Sequence, residues 1–147
     1  MGAKQFEVKA QDASAVLEKL SDADWKKVTV GVTAHHVAGA HEPIAQIITT
    51  VAAGQSIRNF TMEMLHESNA KHAKDFANVS KAETIALHKK GAPAAAAVVR
   101  GLSDDQLAKS GTVLTGMPPV SAEDMITNVL ISHIDEHFGS IRKTVGA

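Results

Sequence analysis

Apolar residues recur at three- and four-residue spacing along most of the chain, the period of one face of a helix. Five stretches carry this pattern, near residues 9–20, 29–53, 59–76, 80–101 and 121–144. The helix starts are marked locally. Ser21-Asp-Ala-Asp24, Ser80-Lys-Ala-Glu83, Ser103-Asp-Asp-Gln106 and Ser121-Ala-Glu-Asp124 each place a hydroxyl three residues before an acid or amide, so the hydroxyl can accept a bond from an orphan backbone N–H. Pro93 falls inside the fourth stretch, where its missing donor predicts a kink or a split. Gly111 to Val120, with Gly116 and Pro118-Pro119, reads as a loop. The β-branched run from Val28 to Thr33 looks strand-like, but it leads directly into helical spacing, and that spacing decides. Helices of about 20 residues are roughly 30 Å long. They must bury their apolar stripes on one another, and an antiparallel helical bundle is the simplest arrangement. The expectation is therefore an all-α fold in a single domain spanning 1–147, with a short additional helix or loop segment.

Composition narrows the chemistry. Ala dominates the apolar set and is the best helix former, while breakers are few, with ten Gly and four Pro. The net charge of -1 lacks the basic surplus of a nucleic-acid binder, so no nucleic-acid partner is expected. The absence of Cys removes disulfides, thiolate zinc sites, iron–sulfur clusters and a Cys nucleophile. Tyr is also absent, which removes a phenol as general acid. A bound metal would have to use His, carboxylates or water. Met1 to Lys9 has no apolar signal core, and the longest apolar run, Ala92 to Val99, is far shorter than the roughly 18 residues of a span. Phe6 stands where N-myristoylation wants Ser or Thr. These features predict a soluble, cytoplasmic protein with no membrane partner.

Eight His in a chain with four Phe and one Trp are the unusual count. His133 and His137, four apart on the last predicted helix, stand one above the other on a single face. Ile126, Val129, Leu130, Ile134, Phe138 and Ile141 make that helix apolar over much of its circumference. A buried imidazole pair needs a compensating partner, and a shared metal ion would be one. The alternative is two partly exposed side chains on a helix flank. In the second stretch, His36 lines up with Ala40, Ile44, Ile47 and Val51 and is predicted to point inward. His35 falls on a smaller, more polar face with Ala38, Gly39, Glu42, Gln46 and Thr49, and is predicted to point sideways or out. His36 would complete a three-His set with His133 and His137, the type of site that leaves a coordination position open. The alternative for His36 alone is a core imidazole bonded to a backbone carbonyl. Imidazole ligands suit zinc, nickel, copper or iron, and the sequence does not choose among them. His35, His41 and Glu42 are candidates for supporting the ligands or moving protons. His66, His72 and His88 lie in charged surroundings and are predicted to be solvated.

His133-Ile-Asp-Glu-His137 also fits the inverted zinc-protease signature. That reading needs a third, acidic ligand well downstream, and no acidic residue follows His137. The H-E-x-x-H arrangement is absent because Ile134 stands at the Glu position. There is no G-x-S-x-G elbow, P-loop or G-x-G-x-x-G.

Asp22-Ala-Asp-Trp25, then Thr29-Val30 leading to His36, then His133 through His137-Phe-Gly-Ser-Ile141 and Arg142 form three motifs in a fixed order. Together they resemble the DinB-like, or YfiT-like, metal-binding four-helix bundles, over most of the chain. The departure is Ser140, where the family pattern has Gln, so no role of that amide carries over. The resemblance implies an antiparallel four-helix bundle and a divalent transition metal, zinc or nickel first and iron next, on His36, His133 and His137. It also implies a homodimer acting on a small-molecule substrate, as a thiol S-transferase using a low-molecular-weight thiol of the mycothiol or bacillithiol type. A metal-dependent hydrolase of a small ester or amide is the first alternative. The second is a non-enzymatic, stress-related binding protein with a structural metal. Fold likeness transfers a metal site more readily than a reaction.

Overall fold

A computed structural model describes residues 2–27 and 30–146. It is mostly helical, as the spacing predicts. The elements run α1 (Gly2–Lys19), α2 (Asp22–Trp25), α3 (Val30–Ala52), α4 (Met62–Asp75), α5 (Lys81–Arg100), α6 (Asp104–Ala108), strands β1 (Ser110–Gly111) and β2 (Val120–Ser121), α7 (Ala122–Met125) and α8 (Ser132–Val145). A π-helical segment, Ile126–Ile131, joins α7 to α8. Of the strand-like run, Val28 and Thr29 lie outside the described residues, and from Val30 onward the chain is helical.

The serine caps form as predicted. Ser21, Ser80, Ser103 and Ser121 each accept from the backbone N–H three residues on, at 3.0–3.2 Å. Only Ser103 closes a reciprocal box, with Gln106 Oε1 accepting from the Ser103 N–H at 2.9 Å. Thr61 caps α4 in the same way. The first helix begins well before residue 9, because Ala3 and Phe6 continue the buried stripe of Ala10, Ala13 and Leu17. Pro93 does not split α5, which runs unbroken from Lys81 to Arg100.

One hydrophobic core joins α1, α3, α5 and the α7–π–α8 stretch, with Phe6, Leu17, Ile48, Leu130, Phe138 and Ile141 among its fully buried side chains. The contact of α3 with α5 is the most extensive in the fold. It is made by small residues. A Cβ on Gly91 would stand 3.3 Å from the Ala38 carbonyl and 3.6 Å from the His41 Cβ. This close approach corrects the predicted face of α3. Its buried side carries Val30, Ala34, Val37, His41, Ala45 and Ile48, whereas His36, Ala40, Ile44 and Ile47 lie on its half-buried flank and only Val51 of the predicted stripe is fully buried. Small residues permit the closest approach of two helices, and Ala38 and Gly91 therefore set where α5 meets α3.

Trp25 fastens the entry to α3. Its indole Nε1 donates to the Val79 carbonyl at 2.9 Å, and its ring lies where a Cβ on Gly31 would be only 3.0 Å away. The predicted loop after α6 holds a small antiparallel pairing, Ser110 opposite Ser121 and Gly111 opposite Val120. Gly111 is buried, and a Cβ there would overlap the Gln55 carbonyl. Replacing Gly111 with Ala is expected to destabilise the fold by about 1–3 kcal/mol, the usual cost of overpacking, because backbone cannot yield as a side chain would. A denaturant-unfolding midpoint equal to that of the parent chain would contradict this.

Candidate metal centre

Two helices build the centre. α3 presents His36 from its flank, and the first turns of α8 present His133 and His137 four residues apart. The π segment sets where α8 points. Its i→i+5 bonds widen the helix and turn every later residue relative to the earlier ones. Ile134, Phe138 and Ile141 then remain in the core, with His133 and His137 half-buried beside them and facing α3. The predicted single helix over 121–144 is continuous, but it is not uniformly α-helical.

One ring nitrogen from each of His36, His133 and His137 lies within 4.8 Å of the other two. His36 Nε2 and His133 Nε2 are 3.0 Å apart. The His36 ring meets His133 edge-on at 4.8 Å and His137 at 5.2 Å, and the rings of His133 and His137 are 4.5 Å apart. Burial lowers all three pKa values, and the neighbouring imidazoles lower those of His36 and His133 further. His36 falls from 6.5 to about 4 and His133 to about 3, while for His137 the Glu136 carboxylate opposes the effect of burial. All three rings are thus neutral near pH 7, the form that ligates a metal.

The pair leaves a polar debt. If His133 donates through Nε2, its buried Nδ1 is a bare acceptor. If His36 donates instead, His133 Nδ1 carries a proton with no acceptor. In both cases the atom has no partner among the described residues. An unsatisfied buried group costs about 1–3 kcal/mol. Three neutral imidazoles at this separation could hold a metal ion.

The other predicted site residues divide. His35 is buried rather than turned outward, and its Nδ1 lies 2.7 Å from Nε2 of His72 on α4. His72 is therefore half-buried and engaged, not solvated, although its nitrogens fall outside the three-His set. Phe76 stacks on both rings, at 4.2 Å from His35 and 4.8 Å from His72. His41 is fully buried, with its Nε2 at 3.1 Å from His88 Nδ1, while His88 Nε2 donates to the Ala10 carbonyl at 2.8 Å. Phe6 packs edge-on against His41 at 5.3 Å. His88 is buried too, against the expectation of a solvated ring. It continues the stripe of Thr84, Ala92, Ala95 and Val99 along α5, a periodicity that could have placed it from sequence. His66 is exposed, as predicted. Glu42 is half-buried and makes no hydrogen bond or ion pair among the described residues.

A cleft of about 300 Å³ opens between α1 and α5, away from the three-His set, and is lined by residues including Glu7, Gln11, Ser14, His88, Lys89 and Arg100. Its buried polar group is His88, both of whose ring nitrogens are already bonded, so the cleft has no free buried group to orient a ligand.

Among the described residues, no helix is long and apolar enough to cross a membrane. Comparison with protein-family models, with curated proteins and with solved structures gives no match to this chain.

Proposed function

We propose that the chain holds a divalent transition metal on His36, His133 and His137, and that it is a metal-dependent thiol S-transferase of the DinB-like four-helix-bundle type. The convergence of three neutral imidazoles from α3 and α8 within 4.8 Å is the observation that carries this reading. Zinc and nickel are the first candidates for the metal and iron the next, since imidazole suits all three. A metal in such a site lowers the pKa of a coordinated thiol or water, making a nucleophile at neutral pH. The protein's own part is to hold three nitrogens unprotonated, to fix His133 and His137 on one face of α8, and to bring His36 against them from α3. No Cys lies in the chain, so a sulfur at the centre has to arrive on a cosubstrate such as mycothiol or bacillithiol. Such thiols belong to a reducing cytoplasm, the compartment we assign, and a homodimer is the assembly we assign.

The test is turnover by metal-loaded, untagged protein against a panel of electrophiles, with and without low-molecular-weight thiols. The expected result is product that appears only with a thiol and saturates with its concentration. Turnover of small esters or amides with no saturable thiol effect would replace the transferase reading with the hydrolase. Stoichiometric metal without turnover on either panel would leave a structural, non-enzymatic centre.

A further inference from the structure

α4 has 14 residues and buries none of them. Only Leu65 and His72 are half-buried, and every other side chain of the helix is exposed. Among the helices its substantial packing is with α3 alone. A segment with so few buried contacts opens at a small fraction of the free energy that unfolds the core, and active-site lids are drawn from such segments.

The chain on either side of α4 is held in place. Before it, the Ile57 N–H donates to the Thr112 carbonyl at 2.9 Å, and the Phe60 carbonyl accepts from the Thr115 N–H at 2.8 Å. After it, the Val79 carbonyl accepts from the Trp25 indole at 2.9 Å. Residues 61–78 therefore form a strap between two fixed points. Its C-terminal turn is latched to α3. His72 Nε2 and His35 Nδ1 share a hydrogen bond of 2.7 Å, with the two rings 21° from coplanar. Phe76 lies nearly flat on both, 22° from His35 and 29° from His72. Beyond the latch, the His72 ring meets the His36 ring edge-on at 5.5 Å, so α4 covers the three-His set on its α3 side. Opening the latch exchanges one imidazole hydrogen bond for bonds to water, which leaves no polar group unpaired.

We propose that α4 is a lid on the three-His centre, latched by His35, His72 and Phe76, that swings between its two fixed ends to pass ions and small molecules. The lid rests on the three-His reading for what it covers. His72 and Phe76 are positioning residues, which hold the lid closed and do not ligate.

The test uses chelator-stripped, untagged protein. Amide hydrogen exchange without metal is expected to open Met62–Asp75 as one unit, about tenfold or more faster than α3 and α5. Phe76→Ala and His72→Ala should each speed that exchange by about a further tenfold while α1, α3 and α5 keep their wild-type rates. An α4 that exchanges as slowly as α3 in the wild type overturns the lid. The second readout is kinetic. Capture of Zn2+ alone, and its removal by excess chelator, are timed by stopped flow. A lid slows entry and exit alike, so Phe76→Ala should accelerate both by about tenfold and leave Kd within about twofold of the wild type. Wild-type rates in Phe76→Ala overturn the lid. So does faster release with a matching loss of affinity, which makes Phe76 a support of the ligands instead. A wild type that takes up no Zn2+, or whose uptake survives His133→Gln, overturns the three-His reading itself. That outcome is distinct from an intact centre whose Zn2+ exchange ignores Phe76→Ala.

Discussion

Replacing His133 with Ala is expected to weaken metal binding by more than about 100-fold, beyond the 10–100-fold cost typical of losing a mere supporting partner. His133 stands between the other two ligands, closest to His36 by its Nε2 at 3.0 Å and to His137 by ring position at 4.5 Å. Its loss leaves two imidazoles on separate helices. The effect is readable as thermal stability, because a ligand that binds only the folded chain stabilises it by mass action. At metal concentrations 100 times the dissociation constant the wild type should gain about 2.7 kcal/mol. For a chain of this size that corresponds to a rise in Tm of roughly 5–10 °C. His133→Ala at the same concentration should rise by no more than about 1–2 °C, since its dissociation constant is then at least comparable to the metal concentration. Equal shifts in differential scanning calorimetry would show that the metal sits elsewhere.

Acid should unfold the metal-free protein from just below pH 6.5, and His41 should account for a measurable share of the loss. Burial first, then the adjacent His88 and then His133, push its pKa from 6.5 down to about 3. The unfolded chain takes up a proton near pH 6.5, and the folded chain resists it until about pH 3. The stabilisation from the neutral, buried ring is therefore complete above pH 6.5. It falls as pH drops through that value and is spent once pH passes below the folded pKa. One pKa unit corresponds to about 1.4 kcal/mol, so His41 alone removes about 2 kcal/mol by pH 5. His88, also lowered by burial, adds in the same direction. Chelated wild-type and His41→Gln proteins, unfolded by denaturant between pH 7.5 and 5, isolate the contribution, because the remaining histidines are common to both. The Gln amide can still donate to His88 Nδ1, so the fold should hold at pH 7.5, and the fall in stability towards pH 5 should be shallower by about 2 kcal/mol. Parallel curves for the two proteins would rule out His41 as the buried titrating group.

Much of the helical content is legible locally. Ser80, Ser103 and Ser121 act within four residues of themselves, so their caps need no knowledge of the rest of the chain. The pairing of His133 with His137 is equally local, since an i, i+4 step on a helix fixes a shared face. Phe6 was missed for a different reason. Its stripe is as regular as the others, but Ala3 and Ala10 are small and the polar residues around them hide the period.

What the sequence determined by itself is what depends on neighbours within a turn or two: helices as the elements, their serine starts, and the His133–His137 face. Which side of α3 is buried was decided only in three dimensions. Gly91 and Ala38 let α5 come close, which buries His41 against His88, while His36 is left on the flank to meet α8 and His35 is covered by His72 and Phe76. The direction of α8 depends on a π segment, which the apolar spacing of Ile126, Leu130 and Ile134 does not distinguish from a regular helix. Engagement of His72 and His88 also waited on the fold, because their partners lie 37 and 47 positions away along the chain. A side chain's own neighbours set its helix, whereas its environment is set by whichever distant helix packs against it.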